Sequence, residues 1–188
     1  MLEKIVQKKS LAKRLVNQRA NDLNPFGFIT LIETFAKEHN LKFKTFRDSE
    51  LLEENLNLIY AVGKGSPNKP GLITVEYHGD TSSDEFSALI GKGVTFDTGG
   101  NNLKPTGSME DMFMDKGGAS AVFAAFQGLV ESKAKINIVM GVPLVENSLS
   151  GLSYRPSDII KSHSGLTVEV TNTDAEGRLI LADTMSYL

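Results

Sequence analysis

Apolar positions in the first twenty residues recur at helical spacing. Leu2, Ile5, Ala12, Leu15 and Val16 share one side, which predicts an amphipathic helix over 2–20 whose stripe is broken by Lys9. Asn24-Pro25 has the chemistry of a helix start, and a second helix is predicted over Phe28–His39. Leu41–Phe46 alternates as a short strand, whereas the apolar run Leu58–Val62 leads into Gly63-Lys64-Gly65-Ser66-Pro67, a turn by composition. Leu72–Tyr77 and Ser87–Gly91 are apolar enough for central strands, and Ile136–Val142 is a further strand. The Ala-rich stretch Gly117–Val130 is apolar on most faces and predicts a buried helix. Pro143, Gly151, Pro156 and several serines make 143–157 a loop on the way to a strand at 167–171, and a last helix is predicted from near Gly177 to Leu188. Strands alternating with helices give an α/β fold, a mostly parallel central sheet flanked by helices. Functional groups are then expected in loops after strand ends.

Composition narrows the class. The chain has 188 residues, 40% hydrophobic and 23% charged, as expected of one globular domain that buries enough surface to need no staples. It has no cysteine, which excludes disulfides and thiolate metal sites and points to a reducing compartment. No apolar run reaches the roughly 18 residues of a membrane span, and Met1–Lys9 lacks the apolar core of a signal peptide. A net charge of −3 gives no reason to expect a nucleic-acid partner. A cytoplasmic protein is the expectation.

The chemistry concentrates in two places. Asn172-Thr173-Asp174-Ala175-Glu176-Gly177-Arg178-Leu179 sets two carboxylates and a guanidinium at alternate positions among small residues. An extended backbone would point Asp174, Glu176 and Arg178 the same way, and a helix from Gly177 limits that to the two carboxylates. The flanking Thr167–Val170 and Leu179–Ala182 predict a polar site at the end of a buried strand. Upstream, Gly91-Lys92-Gly93-Val94-Thr95-Phe96-Asp97-Thr98-Gly99-Gly100 precedes Leu103-Lys104-Pro105 and Met114-Asp115-Lys116-Gly117-Gly118. The two clusters offer Lys92, Asp97, Asp115, Asp174 and Glu176 as possible ligands, with the cations Lys104 and Arg178 nearby.

This combination resembles the leucyl aminopeptidase family of two-metal cytosolic exopeptidases, whose Asn-Thr-Asp-Ala-Glu-Gly-Arg-Leu motif is present here in full. The resemblance runs from about Leu11 onward. It implies that residues 1–188 form the N-terminal part of the family's catalytic domain, without the family's N-terminal domain and without the C-terminal remainder. It also implies two divalent metal ions, Zn or Mn, bridged by Asp97 and Glu176. Lys92 and Asp115 would complete the tighter site and Asp174 the more exchangeable one. Lys92 is nominated by the family motif alone, since a protonated lysine has no lone pair, and a neighbouring dication would favour the neutral amine. Four carboxylates would balance a pair of dications, and oxygen ligands with one amine suit Zn²⁺, Mn²⁺ or Mg²⁺. By the same resemblance Lys104 stabilises the tetrahedral intermediate electrostatically, and Arg178 holds a bicarbonate that serves as general base. Met112 would form one wall of the pocket for the substrate's N-terminal side chain. Peptides with a free N-terminus are the implied substrates, and a homo-hexamer the implied assembly. Departures are few. Thr98 stands where serine is commoner, Asn101-Asn102 replaces a more apolar pair, and Lys116 adds a charge expected to face solvent.

Other readings of the same residues are plainer. The glycine pairs are ordinary turns when taken alone, no P-loop order or Gly-x-Gly-x-x-Gly fingerprint occurs, and Asp115 or Asp174 can serve as a helix cap. His39, His78 and His163 lack metal-site spacing, and Met109 and Met114 read as packing. At the level of function, the alternative to a metal-dependent aminopeptidase is a metal-binding but catalytically incomplete fragment or non-catalytic subunit. A DNA-binding role, known in some members of the family, gains nothing from the negative charge.

Overall fold

The computed structural model describes residues 2–188; the side chain of Leu2, placed on the first helix stripe above, lies outside the described residues. At its centre is strand β5 (Asn137–Asn147), buried along nearly all its length. On one side β5 pairs antiparallel with β2 (Gly71–His78), which pairs antiparallel with β1 (Lys42–Arg47). The other side takes two parallel strands end to end. β3 (Ser87–Ile90) lies against Ile138–Gly141, and β4 (Gly93–Asp97) against Leu144–Asn147. A second, two-stranded sheet joins β6 (Ile159–Lys161) to β7 (Thr167–Glu169).

The α/β class and the helix-flanked central sheet hold, but the sheet is mixed rather than mostly parallel. Only the step from β4 through α5 (Gly117–Glu131) to β5 is a helix-mediated parallel crossover. After β1 the chain makes the short helices α3 (Glu50–Glu53) and α4 (Asn57–Gly63) and returns antiparallel, so alternation in sequence did not fix strand direction. β2 is central as expected. Among the described residues β3 pairs on one side only, and Ser87 and Ala88 are exposed, so it is an edge strand.

Alternation along β5 builds two cores. Ile138, Met140, Val142 and Leu144 face α1 (Leu2–Asn17), α2 (Pro25–Glu38) and α5, where Phe28, Ile32, Phe35, Phe123 and Phe126 are buried. Phe35 meets Phe123 edge-on at 5.8 Å between centroids. Each such fully buried side chain contributes about 1.5–3 kcal/mol. Val145 faces the other side, with Leu51, Ile59, Val62, Leu72 and Ile180 from α3, α4, β2 and α6 (Glu176–Tyr187). Gly141 lets α6 lie close, since a Cβ there would sit 2.8 Å from Thr184 Cγ2.

Several boundaries differ from expectation. α1 ends at Asn17, and α2 starts at Pro25 because Asn24 Oδ1 accepts the Gly27 amide at 2.9 Å. The Leu58–Val62 run is helical. Pro143 does not end β5, because it lies at the joint between the Gly141 and Leu144 partners of β3 and β4, where a strand tolerates a missing N–H. The strand expected at 167–171 shrinks to the half-exposed β7, outside the central sheet.

Candidate metal centre

β4 and β5 run parallel and end side by side at Asp97 and Asn147. Beyond them, Asn172 is extended and accepts the Asp174 amide at 2.8 Å, which winds Thr173–Ala175 into a 3-10 turn ahead of α6. Asp174 and Glu176 are therefore not on an extended backbone at the end of a buried strand. They lie on the turn and on the first residue of a helix, and it is this winding that turns Asp174 and Glu176 toward Asp97. Asp97, Asp174 and Glu176 each place a carboxylate oxygen within 4.8 Å of the others, enough to hold one cation in common. Asp97 and Glu176 are almost fully buried, while Asp174 is exposed.

Two lysines reach into this group. Lys92 Nζ lies 2.8 Å from Asp115 Oδ2 and 2.7 Å from Glu176 Oε1. Lys104 Nζ lies 2.9 Å from Asp97 Oδ2 and donates to Asp174 Oδ1. Burial opposes the charge on Lys92, but Asp115 and Glu176 outweigh it and hold the ammonium above the ordinary lysine range. Lys104 follows the same pattern, with Asp174 and Asp97 overcoming burial. Burial, partly offset by Lys92, pushes the carboxyls of Asp115 and Glu176 up. Glu176 Oε2 is buried with no hydrogen-bond partner, and Asp115 Oδ2 meets Lys92 only as an ion pair, outside hydrogen-bond geometry. A buried, unpartnered carboxylate oxygen such as Glu176 Oε2, set in an acidic cluster, is what a cation-binding donor set presents.

Glycines make the close approaches possible. A Cβ at Gly177 would fall 2.8 Å from Lys92 Cδ, so the residue after Glu176 must be bare for the lysine stem to pass. Gly99 and Gly100 turn the chain after Asp97 with φ of +84° and +64°. Gly93 brings β4 to the joint, where a Cβ would meet the Pro143 carbonyl oxygen at 2.4 Å.

Six of the eight sequence-nominated residues thus converge: Lys92, Asp97, Lys104, Asp115, Asp174 and Glu176. Arg178 is exposed on the first turn of α6 and makes no ion pair or hydrogen bond among the described residues. Met112 is half-buried and opens the 3-10 turn that leads to Asp115. None of the three histidines joins the group; their partners are Phe35 O, Glu76 and Ser186.

Lys116, expected in solvent, is fully buried. Its ammonium donates to Gln18 O at 2.7 Å, just past the end of α1, and to Phe113 O in the 3-10 turn. Burial, helped by Arg19, pulls it down to about 8.

The residues that lock the two clusters together were not legible. Thr173, fully buried, donates through Oγ1 to Gly99 O at 2.6 Å and through its amide to Asn102 Oδ1 at 2.8 Å. Its carbonyl accepts Tyr154 Oη at 2.7 Å and Asn147 Nδ2 at 3.0 Å. Burial, then the charges of Glu176, Asp97 and Asp174, raise the Tyr154 phenol and keep it a donor. Tyr154 lay in a segment read as loop, and Asn147 in the same stretch; only their burial in the folded chain marks them.

Comparison with known proteins gives the arrangement a family. Residues 10–188 match the catalytic domain of the cytosol aminopeptidase family. A probable cytosol aminopeptidase of Syntrophotalea carbinolica is 44% identical over 178 residues, covering 95% of this chain and 36% of its own length. The leucine aminopeptidase of Caenorhabditis elegans superposes with a TM-score of 0.94 at 36% identity, covering 98% of this chain and 37% of that one. The bottromycin maturation enzyme BotP in complex with Mn superposes with a TM-score of 0.88 at 37% identity, covering 96% and 39%. This chain therefore spans a little over a third of the length of the proteins it matches. With a match that takes in nearly every residue, and with the family's acidic motif folded into one cluster, the chain belongs to the cytosol aminopeptidase family, within its catalytic domain.

Proposed function

We propose that the chain carries the metal-holding part of an aminopeptidase that releases N-terminal residues, leucine-like ones by family analogy, from peptides with a free N-terminus. The observation that carries this reading is the meeting of Asp97, Asp174 and Glu176 beside Asp115, with Glu176 Oε2 buried and unpartnered. Carboxylate oxygens with one lysine amine suit a pair of divalent cations, Zn²⁺ or Mn²⁺, and a neighbouring fold is known with Mn. Asp97 and Glu176 would hold both ions, Lys92 and Asp115 one, and Asp174 the other. When bound, such a pair supplies Lewis-acid polarisation of the scissile carbonyl and a water acidic enough to attack it near neutral pH.

The chain's own groups do the rest. Lys104, kept protonated by Asp97 and Asp174, holds positive charge where negative charge develops on the substrate. Arg178, exposed and without a partner among the described residues, is available to bind bicarbonate as the general base. Met112 contributes one pocket wall. A cytosolic homo-oligomer, hexameric by analogy, belongs to the same proposal; no helix among the described residues is long and apolar enough to cross a membrane.

The alternative reading is a metal-binding chain without turnover. Hydrolysis of leucine amide with and without Mn²⁺ or Zn²⁺, beside metal content per chain, separates the two. Metal-dependent release that is lost in Glu176→Ala supports the aminopeptidase. Two bound metals without release support the second reading, and a chain that binds no metal sinks both. Asp97→Ala and Glu176→Ala are expected to bind fewer than two metals; full stoichiometry in both would overturn the ligand assignment.

A further inference from the structure

We propose that Asn147 is a positioning residue of the metal centre, which holds Asp97 and the turn before Glu176 in one fixed relation. The proposal rests on the reading of Asp97 as a ligand and deepens it. Asn147 is fully buried at the last position of β5, directly opposite Asp97 across the parallel β4–β5 ladder. One carboxamide nitrogen serves two acceptors: Nδ2 donates to Asp97 Oδ1 at 2.8 Å and to Thr173 O at 3.0 Å. Both are oxygens without a hydrogen to give, so the amide has one workable orientation. Its backbone carbonyl fixes the residue after Asp97 as well, accepting the Thr98 amide at 2.9 Å and Thr98 Oγ1 at 2.8 Å.

The division of labour on Asp97 follows from these bonds. Oδ1 is committed to Asn147 and to the Gly99 amide at 2.9 Å. Oδ2 is left toward Lys104. A carboxylate tied through one oxygen presents the other at a set angle, and outer hydrogen bonds of this kind orient ligands and tune their basicity. The second bond of Asn147 reaches the segment that carries Asp174 and Glu176, so one side chain spans both halves of the site.

The cost of the arrangement is visible. Asn147 Oδ1 is buried with no hydrogen-bond partner. Gly100 stands where a Cβ would come 2.9 Å from that oxygen, so the loop is shaped around the amide. Solvation of Asn147 itself gains nothing here; what gains is the placement of its two acceptors.

Isothermal titration of this chain with Mn²⁺, and separately with Zn²⁺, tests the proposal without needing turnover. Asn147→Ala is expected to weaken metal affinity by about 10- to 100-fold, the usual effect of losing an outer-shell partner. Asn147→Ser keeps a polar atom that cannot span both acceptors, and its affinity should fall as well; it carries the test if the alanine variant does not fold. In an Asp97→Asn background the same substitutions should cost less than in the unsubstituted chain, because the share of the effect that travels through Asp97 is already lost. Folded variants that bind metal as tightly as the unsubstituted chain would overturn the proposal and leave the ligand assignment standing. The same is true of variants whose loss is undiminished in the Asp97→Asn background. An unsubstituted chain that binds neither metal would overturn both.

Discussion

Lys116 forms no ion pair among the described residues; two backbone carbonyls and the face of Phe113, 5.8 Å from its nitrogen, surround it. Its folded pKa of about 8 lies below the roughly 10.4 of an unfolded lysine. Between those values the unfolded chain keeps a proton that the folded chain has released, so stability should rise with pH across this window. Subtracting the stability profile of Lys116→Met from that of the unsubstituted chain should leave a rise between pH 8 and pH 10; a flat difference would contradict the burial argument. At Lys104 the expectation concerns chemistry. Lys104→Ala should keep its metal content and lose about 10²- to 10³-fold in kcat, and an effect confined to KM would remove its electrostatic role. The carboxylates were legible because their motif is dense and the family resemblance supplied their roles. Lys116 and Asn147 were not, because nothing in the identity of a lysine or asparagine states whether tertiary packing will close over it.

Helix α4 starts without a side-chain cap of its own. Asp183, in the middle of α6, supplies one from across the core by accepting the amides of Leu58 at 2.7 Å and Ile59 at 3.3 Å, together with that of His163 at 2.9 Å. Asp183→Ala strands these donors and should cost on the order of 3 kcal/mol, read as a lower denaturant midpoint with an unchanged slope. Gly141→Ala tests the seat of the same helix, since its Cβ would press on Thr184 and Leu188; about 1–3 kcal/mol should be lost. Among the elements, α5 was legible almost to the residue because its apolar, Ala-rich run is long and uninterrupted. β4 was hidden behind Gly91 and Gly93, which serve close approaches rather than turns, and β5 was cut short by reading Pro143 as a loop signal. Both errors have one cause. The joint between β3 and β4 is a tertiary fact, and at that joint glycine and proline keep a strand going.

For the molecule as a whole, the site lies where β4 and β5 end and the first turn of α6 begins. The proposed ligands come from three separate stretches of chain, 92–97, Asp115 and 174–176, so a cation bound there should stabilise the folded state alone. At about 100 times its dissociation constant, Mn²⁺ or Zn²⁺ should add about 2.7 kcal/mol, seen as a higher Tm that chelation reverses and Asp97→Ala abolishes. An unchanged Tm at saturating metal would count against the centre. The single edge that β5 offers to both β3 and β4 carries a further consequence, for how the chain can vary in length. Gly91 and Gly93 flank Lys92, and a Cβ at either would strike backbone, 2.7 Å from Gly118 O or 2.4 Å from Pro143 O. One residue added between these strands would slip β4 against β5 and turn Asp97 to the opposite face of the sheet. Residues 81–86, exposed throughout, bear no such constraint. In a scan of single-residue insertions, the survivors should crowd into that stretch and leave 91–93 empty.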